Sequence, residues 1–431
     1  MSNGLTGVLG GGALGLAATL RLSQAGRKVV LLEREPQLGG LAVGFQVGGT
    51  FLEKFYHHIF RTDRTIIRLI DELGLGQDLL WLRPDTSVLR EGRIYSLDSA
   101  EDVLRFSPLP LPDRLRLGFA LATLKAAPNE KPFGGRTAAS WVRRWMGQRA
   151  YETVLGPLLV GKFGTHAEEN AMSWLWSRFH ERTPSLGYLR GGFQRFYSAL
   201  GDRIRALGGE ILLGAEAESF TANRYGVVVR TAHGRTYSFD QLLVTLPTRL
   251  FARLAEGLLP DYLIRYPGPE HLGAHVLILG LCRPLTNIYW LNIADRDFPF
   301  LALVEHTNLI PAASYGGLHL VYLGNYLPMS HELFTWNDAR VLASFLPHLK
   351  RINPEFDPGW VKQHWVFKAP FAQPVVTVGY VNKLPPHRTP LPNVYLANMA
   401  HVYPQDRGQN YSLALGEKMA ALMLRDATAR S

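Results

Sequence analysis

The stretch that most restricts how this chain can fold is its start, from Leu5 to Gly40. Leu5–Leu9 is a short apolar run of the kind buried as a strand, and Gly10-Gly-Gly-Ala-Leu-Gly15 follows at once with the spacing G-x-G-x-x-G. Ala13 to Gln24 then reads as a helix, with Leu14, Ala17, Ala18, Leu20 and Leu22 on its packed sides and Gly26 just beyond its end. Lys28-Val-Val-Leu-Leu-Glu33 is a second buried strand, closing on a carboxylate.

Strand, glycine turn, helix and acid-ended strand together make a dinucleotide-binding unit. Gly10 permits the tight turn, Gly12 lets the backbone approach a pyrophosphate, and Gly15 lets helix and strand pack closely. The helix start offers N–H groups and a partial positive charge to that pyrophosphate. Glu33 is placed to accept both hydroxyls of an adenosine ribose, and its charge disfavours the extra phosphate of NADP.

At 431 residues the chain is long enough for two domains or one large interleaved unit. Hydrophobic residues make up 47%, which excludes a disordered chain. Cys282 is the single cysteine, so no intramolecular disulfide can form, and the expected location is the reducing cytoplasm. Formal charge is +10, from 46 basic and 36 acidic residues, and the basic ones are scattered. That pattern argues against a nucleic-acid partner. It leaves anionic ligands, an anionic membrane surface touched peripherally, or a merely arginine-rich composition. No apolar run reaches the roughly eighteen residues of a spanning helix, and no secretory leader is read at the N-terminus. No metal-ligand spacing, nucleophilic triad or P-loop competes with the glycine turn.

Which dinucleotide binds is set by a second glycine pair. Glu33-Arg-Glu-Pro-Gln-Leu-Gly-Gly-Leu-Ala42 resembles the E-x-x-x-x-x-G-G signature of FAD proteins in the amine oxidase, protoporphyrinogen oxidase and phytoene desaturase superfamily. UDP-galactopyranose mutases share it. The resemblance implies an α/β fold: a Rossmann-like FAD-binding domain of the glutathione reductase type 2 family, interleaved with an α+β substrate domain containing a mixed or antiparallel sheet. The FAD domain is then expected over residues 1–82, 188–250 and 389–431, and the substrate domain over 83–187 and 251–388. The implied cofactor contacts are Gly10, Gly12, Ala13, Leu14 and Gly15, then Glu33 and Arg34, then Gly39, Gly40, Leu41 and Ala42. Leu41 stands where members often carry arginine. Monoamine oxidases tether FAD through a cysteine near the C-terminus; none stands there, so the FAD is expected to be non-covalent.

Phe55-Tyr-His-His-Ile-Phe-Arg-Thr62 resembles the mutases' Tyr-Gly-Ala-His-Ile-Phe-His-Thr stretch, which in that family passes beside the isoalloxazine ring. Neighbours in an extended segment point to opposite sides, so one of His57 and His58 is expected at the ring. The match to His-Ile-Phe favours His58, with His57 supporting the backbone; ordinary hydrogen-bonded burial is the alternative for both. Gly156-Pro-Leu-Leu-Val-Gly-Lys-Phe-Gly164 resembles a Pro-Leu-x-x-Gly-x-(Phe/Tyr) segment of protoporphyrinogen-oxidase-like proteins. Ala217 matches a position that offers its backbone to the adenine, and Thr245-Leu-Pro247 a strand end beneath the cofactor. Asn398 to Tyr411 resembles the second flavin motif, with Ala397-Asn398 in place of Gly-Asp; Asn398, Asn410, Tyr411 and Ser412 are its implied contacts. Arg407-Gly-Gln-Asn-Tyr-Ser412 replaces the Gly-Tyr-Met-Glu-Gly-Ala of monoamine oxidases, whose cage tyrosine is therefore missing. Arg407 and Asn410 point to a polar or anionic substrate end.

Elsewhere, Asp63 is placed to cap a helix running to Gly74, and Ser87–Arg90 with Arg93–Ser96 reads as a hairpin. Pro108 to Pro128 reads as an apolar helix, either core or a surface that meets membrane or a greasy substrate. Apolar runs from Ala274 to Val366 predict a second sheet, and a last helix is read over Ser412 to Arg425. The chemistry implied is hydride transfer from a small-molecule substrate to flavin N5, with His58, His57 and Arg407 as candidate catalytic groups. The alternatives are a non-redox nucleotide-sugar mutase resembling UDP-galactopyranose mutase, and a flavoprotein that serves as a binding partner.

Overall fold

A computed structural model describes residues 4–429. The apolar runs flanking the first helix form the strands Leu5–Leu9 and Lys28–Glu33, paired in parallel and buried along nearly their whole length. Runs this nearly continuous in apolar residues suit a parallel sheet covered on both faces. The sheet has five strands in the order Glu210–Leu213, Lys28–Glu33, Leu5–Leu9, Gln241–Val244 and Val394–Leu396, all parallel. Its strands are thus drawn from well-separated parts of the chain.

The helix Ala13–Gln24 lies against the C-terminal helix Gln409–Thr428. Small residues let the two approach: Ala17 and Ala18 are fully buried, and a Cβ on Gly416 would sit 2.3 Å from the Leu14 carbonyl oxygen. A three-stranded antiparallel sheet, Ala217–Asn223, Gly226–Thr231 and Thr236–Phe239, packs beside the parallel one.

The second sheet has seven strands, in the order Val361–Pro374, His271–Leu281, His319–Leu327, Ala302–Glu305, Trp290–Ile293, Thr86–Arg90 and Arg93–Ser96. All its pairings are antiparallel except Trp290–Ile293 with Thr86–Arg90, through which the early hairpin joins. Alternation along His271–Leu281 sorts the side chains. Val276 and Ile278 enter the main core with Tyr322, while Leu277, Leu279 and Leu281 pack with Val341, Phe345 and Leu349 of the helix Asp338–Leu349.

A helical block between Ala100 and His180 has its own core around Trp141, Phe163, Trp174 and Trp176. Within it the helix Leu111–Ala126 turns Leu117, Ala120 and Leu124 inward and leaves Leu111, Leu115 and Phe119 exposed. Among the described residues no helix is long and apolar enough to cross a membrane.

Three local expectations are corrected. Asp63 precedes the helix Arg64–Glu72, yet its carboxylate accepts the Phe60 amide at 2.8 Å and makes no cap. Asn410 supplies the cap instead, its Oδ1 accepting the Thr65 amide at 2.9 Å and the Ile66 amide at 3.2 Å. The last helix begins at Gln409 rather than Ser412, because Gly408 is extended and regular helix starts directly after it. The strand read as ending at Val366 continues to Pro374, since the neighbouring strand pairs with it to that point.

Candidate flavin and substrate site

Four parallel strands finish at one cavity of about 530 Å³. Leu9, Glu33, Thr245 and Asn398, each at or just past a strand's C-terminal end, line it. Open parallel sheets bind their ligands at that edge.

The glycine turn shapes one wall. Gly10 has φ +108°, a conformation side chains rarely adopt, and its amide donates to the Leu32 carbonyl at 2.9 Å. A Cβ on Gly15 would fall 1.9 Å from the Gly10 carbonyl oxygen, so Gly15 serves the turn from behind and does not itself line the cavity. The Gly39 amide donates to the Gly11 carbonyl at 2.9 Å, and a Cβ on Gly40 would lie 3.1 Å from the Gly12 Cα. The two glycine motifs are therefore one structure, with backbone against backbone. Gly12, Ala13 and Leu14 line the cavity where the first helix begins, with no capping side chain and no acid in its first turn. That end is left to an anion. Leu41 and Ala42 continue the same wall.

Glu33 is 9% exposed. Its Oε2 accepts the Gly11 amide at 2.6 Å and its Oε1 the Glu35 amide at 2.8 Å. Each oxygen keeps a further lone pair for a ribose hydroxyl, but the carboxylate also ties the glycine turn to the strand end. Arg34 sits at the rim, paired with Glu35 at 3.1 Å. Ala217 lines the cavity beside Ala215, whose amide donates to the Glu33 carbonyl at 2.8 Å.

At the other end Thr245 Oγ1 donates to the Leu9 carbonyl at 2.7 Å and clips two strands together. Asn398 reaches the wall but spends its amide on the local loop, donating to the Leu246 carbonyl and accepting the Ala400 amide, both at 3.0 Å. The C-terminal helix presents Gln409 and Ser412 to the cavity, and Asn410 and Tyr411 do not line it. Residues three apart share a helix face while the two between turn away. Gln409 Oε1 accepts from the Tyr197 hydroxyl at 2.7 Å, and its buried Nε2 has no partner. An unpaired buried donor on the wall, an uncapped helix start at each end and a glycine cradle all fit a bound dinucleotide.

The histidine pair is sorted by packing, and in the reverse of the expected order. His57 lines the cavity; its Nδ1 lies 2.6 Å from the Phe55 carbonyl. A carbonyl only accepts, so Nδ1 carries the proton and Nε2 is left as an acceptor. Burial pushes His57 down to about 4, with the Arg407 charge assisting. His58 turns into an aromatic cluster, edge-on to Phe60, Tyr289 and Trp290, and burial with the nearby Arg182 charge pushes it to about 3. Both imidazoles are neutral at neutral pH.

Arg407 lines the same end of the cavity. Its Nε donates to Gln373 Oε1 at 2.8 Å, a second nitrogen donates to the Tyr326 hydroxyl, and the guanidinium lies 4.9 Å from the Tyr326 ring centre. A smaller cavity of about 20 Å³ shares Phe55, His57 and Arg407 with the first and adds Tyr56, Asn325 and Tyr326. The adjacent Asp406 accepts from Lys162 Nζ at 3.1 Å, Trp174 Nε1 at 2.9 Å and the Arg178 guanidinium. Burial opposes charge on Asp406, but Lys162, Arg178 and Arg407 outweigh it and hold the carboxyl well below its usual range.

Lys162, Arg178, Asp406, Gln373 and Gln409 were not singled out from the sequence. Lys162 stands in the Gly156–Gly164 segment, and Asp406 and Gln409 flank Arg407 in the second flavin motif, the two segments where a signal existed. Among the described residues no cluster of histidine, cysteine, aspartate and glutamate could hold a metal ion.

A parallel sheet with a glycine cradle at its C-terminal edge, interleaved with a large antiparallel sheet, defines a flavin-dependent oxidoreductase fold. Residues 15–405 match the model of the flavin-containing amine oxidoreductases, and the chain belongs to that family; its cofactor is FAD. No protein of curated function matches it by sequence. Among solved structures it is similar to a protein from Exiguobacterium sp. 255-15 provisionally described as protoporphyrinogen oxidase. That match has 17% identity, TM-score 0.77, and covers 99% of this chain and 100% of the other. Reduced UDP-galactopyranose mutase is similar at 17% identity and TM-score 0.76, covering 99% and 96%. Putrescine oxidase bound to putrescine is similar at 15% identity and TM-score 0.70, covering 98% and 99%. At these identities the likeness is one of fold.

Proposed function

We propose that the chain oxidises a small-molecule substrate at the Arg407 end of the cavity, using non-covalently held FAD. The observation that carries this reading is one continuous cavity with Glu33 at one end and His57, Arg407 and Gln409 at the other. When bound there, FAD supplies a two-electron acceptor for hydride. The residues of the chain do the rest. Glu33 and the glycine cradle take the adenosine and pyrophosphate, Gln409 Nε2 and the helix start behind it hold the ring end, and neutral His57 offers Nε2 as a hydrogen-bond acceptor beside the substrate. The side chains of Phe55, Phe371 and Leu41 line the wall with apolar surface that excludes water. The main competitor is mutase chemistry, favoured by the Phe55–Thr62 stretch.

The two differ in electron balance: oxidation consumes one acceptor per product, whereas a mutase needs only an initial reduction. The purified protein is expected to be yellow, to release its flavin into the supernatant on acid precipitation, and to require an acceptor for turnover. Sustained turnover of UDP-sugars by photoreduced protein, anaerobically and without acceptor, would overturn the oxidative reading. Flavin retained in the acid pellet would overturn the non-covalent one.

A further inference from the structure

We propose that the substrate carries an anionic group, a carboxylate or a phosphate, held by Arg407 at the flavin end of the cavity, with Lys162 and Arg178 behind it adding positive field. This rests on the oxidative reading of that site and narrows its substrate class.

The argument begins with charge. Arg178 and Lys162 both contact Asp406, and Lys162 and Arg407 approach one ring, that of Tyr326, at 5.6 and 4.9 Å. Arg182, exposed just past the end of the Met172–His180 helix, lies close enough to Arg178 and Asp406 to feel both charges. Lys162 and Arg178 pair with Asp406, and the charges of Arg407 and Arg182 are felt in the same neighbourhood. No carboxylate among the described residues forms an ion pair with Arg182 or Arg407.

Burial makes that excess costly. The side chains of Lys162, Asp406 and Arg178 are 13%, 18% and 26% exposed. Charges withdrawn from water require a counter-charge. Desolvation and the neighbouring arginines push Lys162 well below the usual lysine range, and an entering anion would reverse that. Asp406 carries one negative charge and already accepts from Lys162, Arg178 and Trp174, so it neutralises only part of the positive charge around it.

The elements explain why the cluster exists. Trp174 and Arg178 are four residues apart on one helix and so share a face. Trp174, Phe163 and Tyr326 surround Lys162 Nζ at 4.9, 5.8 and 5.6 Å, which holds the ammonium in place without neutralising it. Arg178 contacts Asp406 next to the cavity-lining Arg407, so the positive field at this end of the cavity is not confined to one side chain. Such a field draws anions and repels a protonated amine. This separates the chain from the putrescine oxidase it resembles in fold, since putrescine is a dication at neutral pH.

The test is calorimetric titration of the holoprotein with probes of similar size: benzoate, phenyl phosphate, benzyl alcohol and benzylamine, with flavin absorbance followed in parallel. Benzoate or phenyl phosphate is expected to bind at least about tenfold more tightly than benzylamine and to perturb the flavin spectrum; whichever is tighter identifies the group. Lys162→Met should weaken the anion about tenfold with flavin content unchanged. Asp406→Asn should strengthen it, a direction that structural damage does not produce. Tightest binding by benzylamine or benzyl alcohol overturns the proposal, as does benzoate affinity unaltered in both variants. The wild-type comparison needs no variant, so a misfolded substitution does not spare it. Calorimetry also separates the two readings. Protein that binds benzoate but takes up no FAD defeats the flavin assignment alone, and yellow protein indifferent to both anions defeats this one alone.

Discussion

At the scale of single residues, two neighbours of identical chemistry are given different work by their surroundings. His57 lies on the cavity wall with its Nδ1 committed to the Phe55 carbonyl, and His58 is packed among Phe60, Tyr289 and Trp290. His57→Ala is expected to shift the flavin absorbance or slow its reduction while leaving the melting temperature near wild type. His58→Ala is expected to leave the spectrum unchanged and to cost about 1–3 kcal/mol of stability, as loss of a packed aromatic-sized group does. Absorbance spectra and denaturant titrations on the same preparations decide between them. A spectral change in the His58 variant alone would return the ring-side role to His58.

At the scale of elements, the same division runs between Gln409 and Asn410. The C-terminal helix starts at Gln409, so that residue faces the cavity, and Asn410 points back to the helix Arg64–Glu72, accepting two of its first amides. Asn410→Ala should cost about 1–2 kcal/mol of stability, the worth of an N-cap, with FAD affinity retained. Gln409→Ala should weaken FAD binding by about 0.5–1.5 kcal/mol, the worth of a neutral hydrogen bond, with little loss of stability. Chemical denaturation and flavin retention on dilution read the two effects separately. The exposed and buried sides of the helix Leu111–Ala126 show the same logic, since one apolar sequence supplies both core and surface.

At the scale of the molecule, burial of many titratable groups couples folding to pH. His57, His271, His275 and His401 are pushed down to about 4, and His58 and His306 to about 3, desolvation being the leading cause in each. Between about pH 4 and 6.5 the unfolded chain binds protons that the native imidazoles refuse, so stability rises with pH across that window and falls on acidification. Glu53 works the other way. Burial raises it to about 7, although the Phe193 amide and Tyr188 hydroxyl donate to its carboxylate at 2.6 and 2.8 Å. Its stabilising contribution is full below about 4.5 and is lost as pH climbs to 7. Asp63, raised to about 6, acts in the same sense as Glu53. His319, His348 and His387 are lowered as well, and Asp98 and Glu305 raised, so with nine histidines against four carboxyls the melting temperature should be higher at pH 7 than at pH 5. Glu53→Gln should lose less relative to wild type at pH 8 than at pH 5. Thermal melts at both pH values check each statement, and a flat wild-type profile would contradict the histidine argument.

What the sequence determined by itself is whatever a few consecutive residues can enforce. The glycine spacing, the buried strands flanking it and the helix Ala13–Gln24 were legible because steric and hydrophobic demands act over one or two turns of chain. The hairpin Thr86–Arg90 with Arg93–Ser96 and the strands of the second sheet followed from the same local rules. Family resemblance extended this to FAD. What only the tertiary structure decided are the meetings of distant residues. Asn410 caps a helix 345 residues earlier, and Asp406 gathers Lys162 and Arg178 across separations of 244 and 228. The choice between His57 and His58 belongs with these, because a side chain's direction in an extended segment depends on what packs against each face. Local physics selects the elements; the order of strands in the sheets decides which charges are left facing one another.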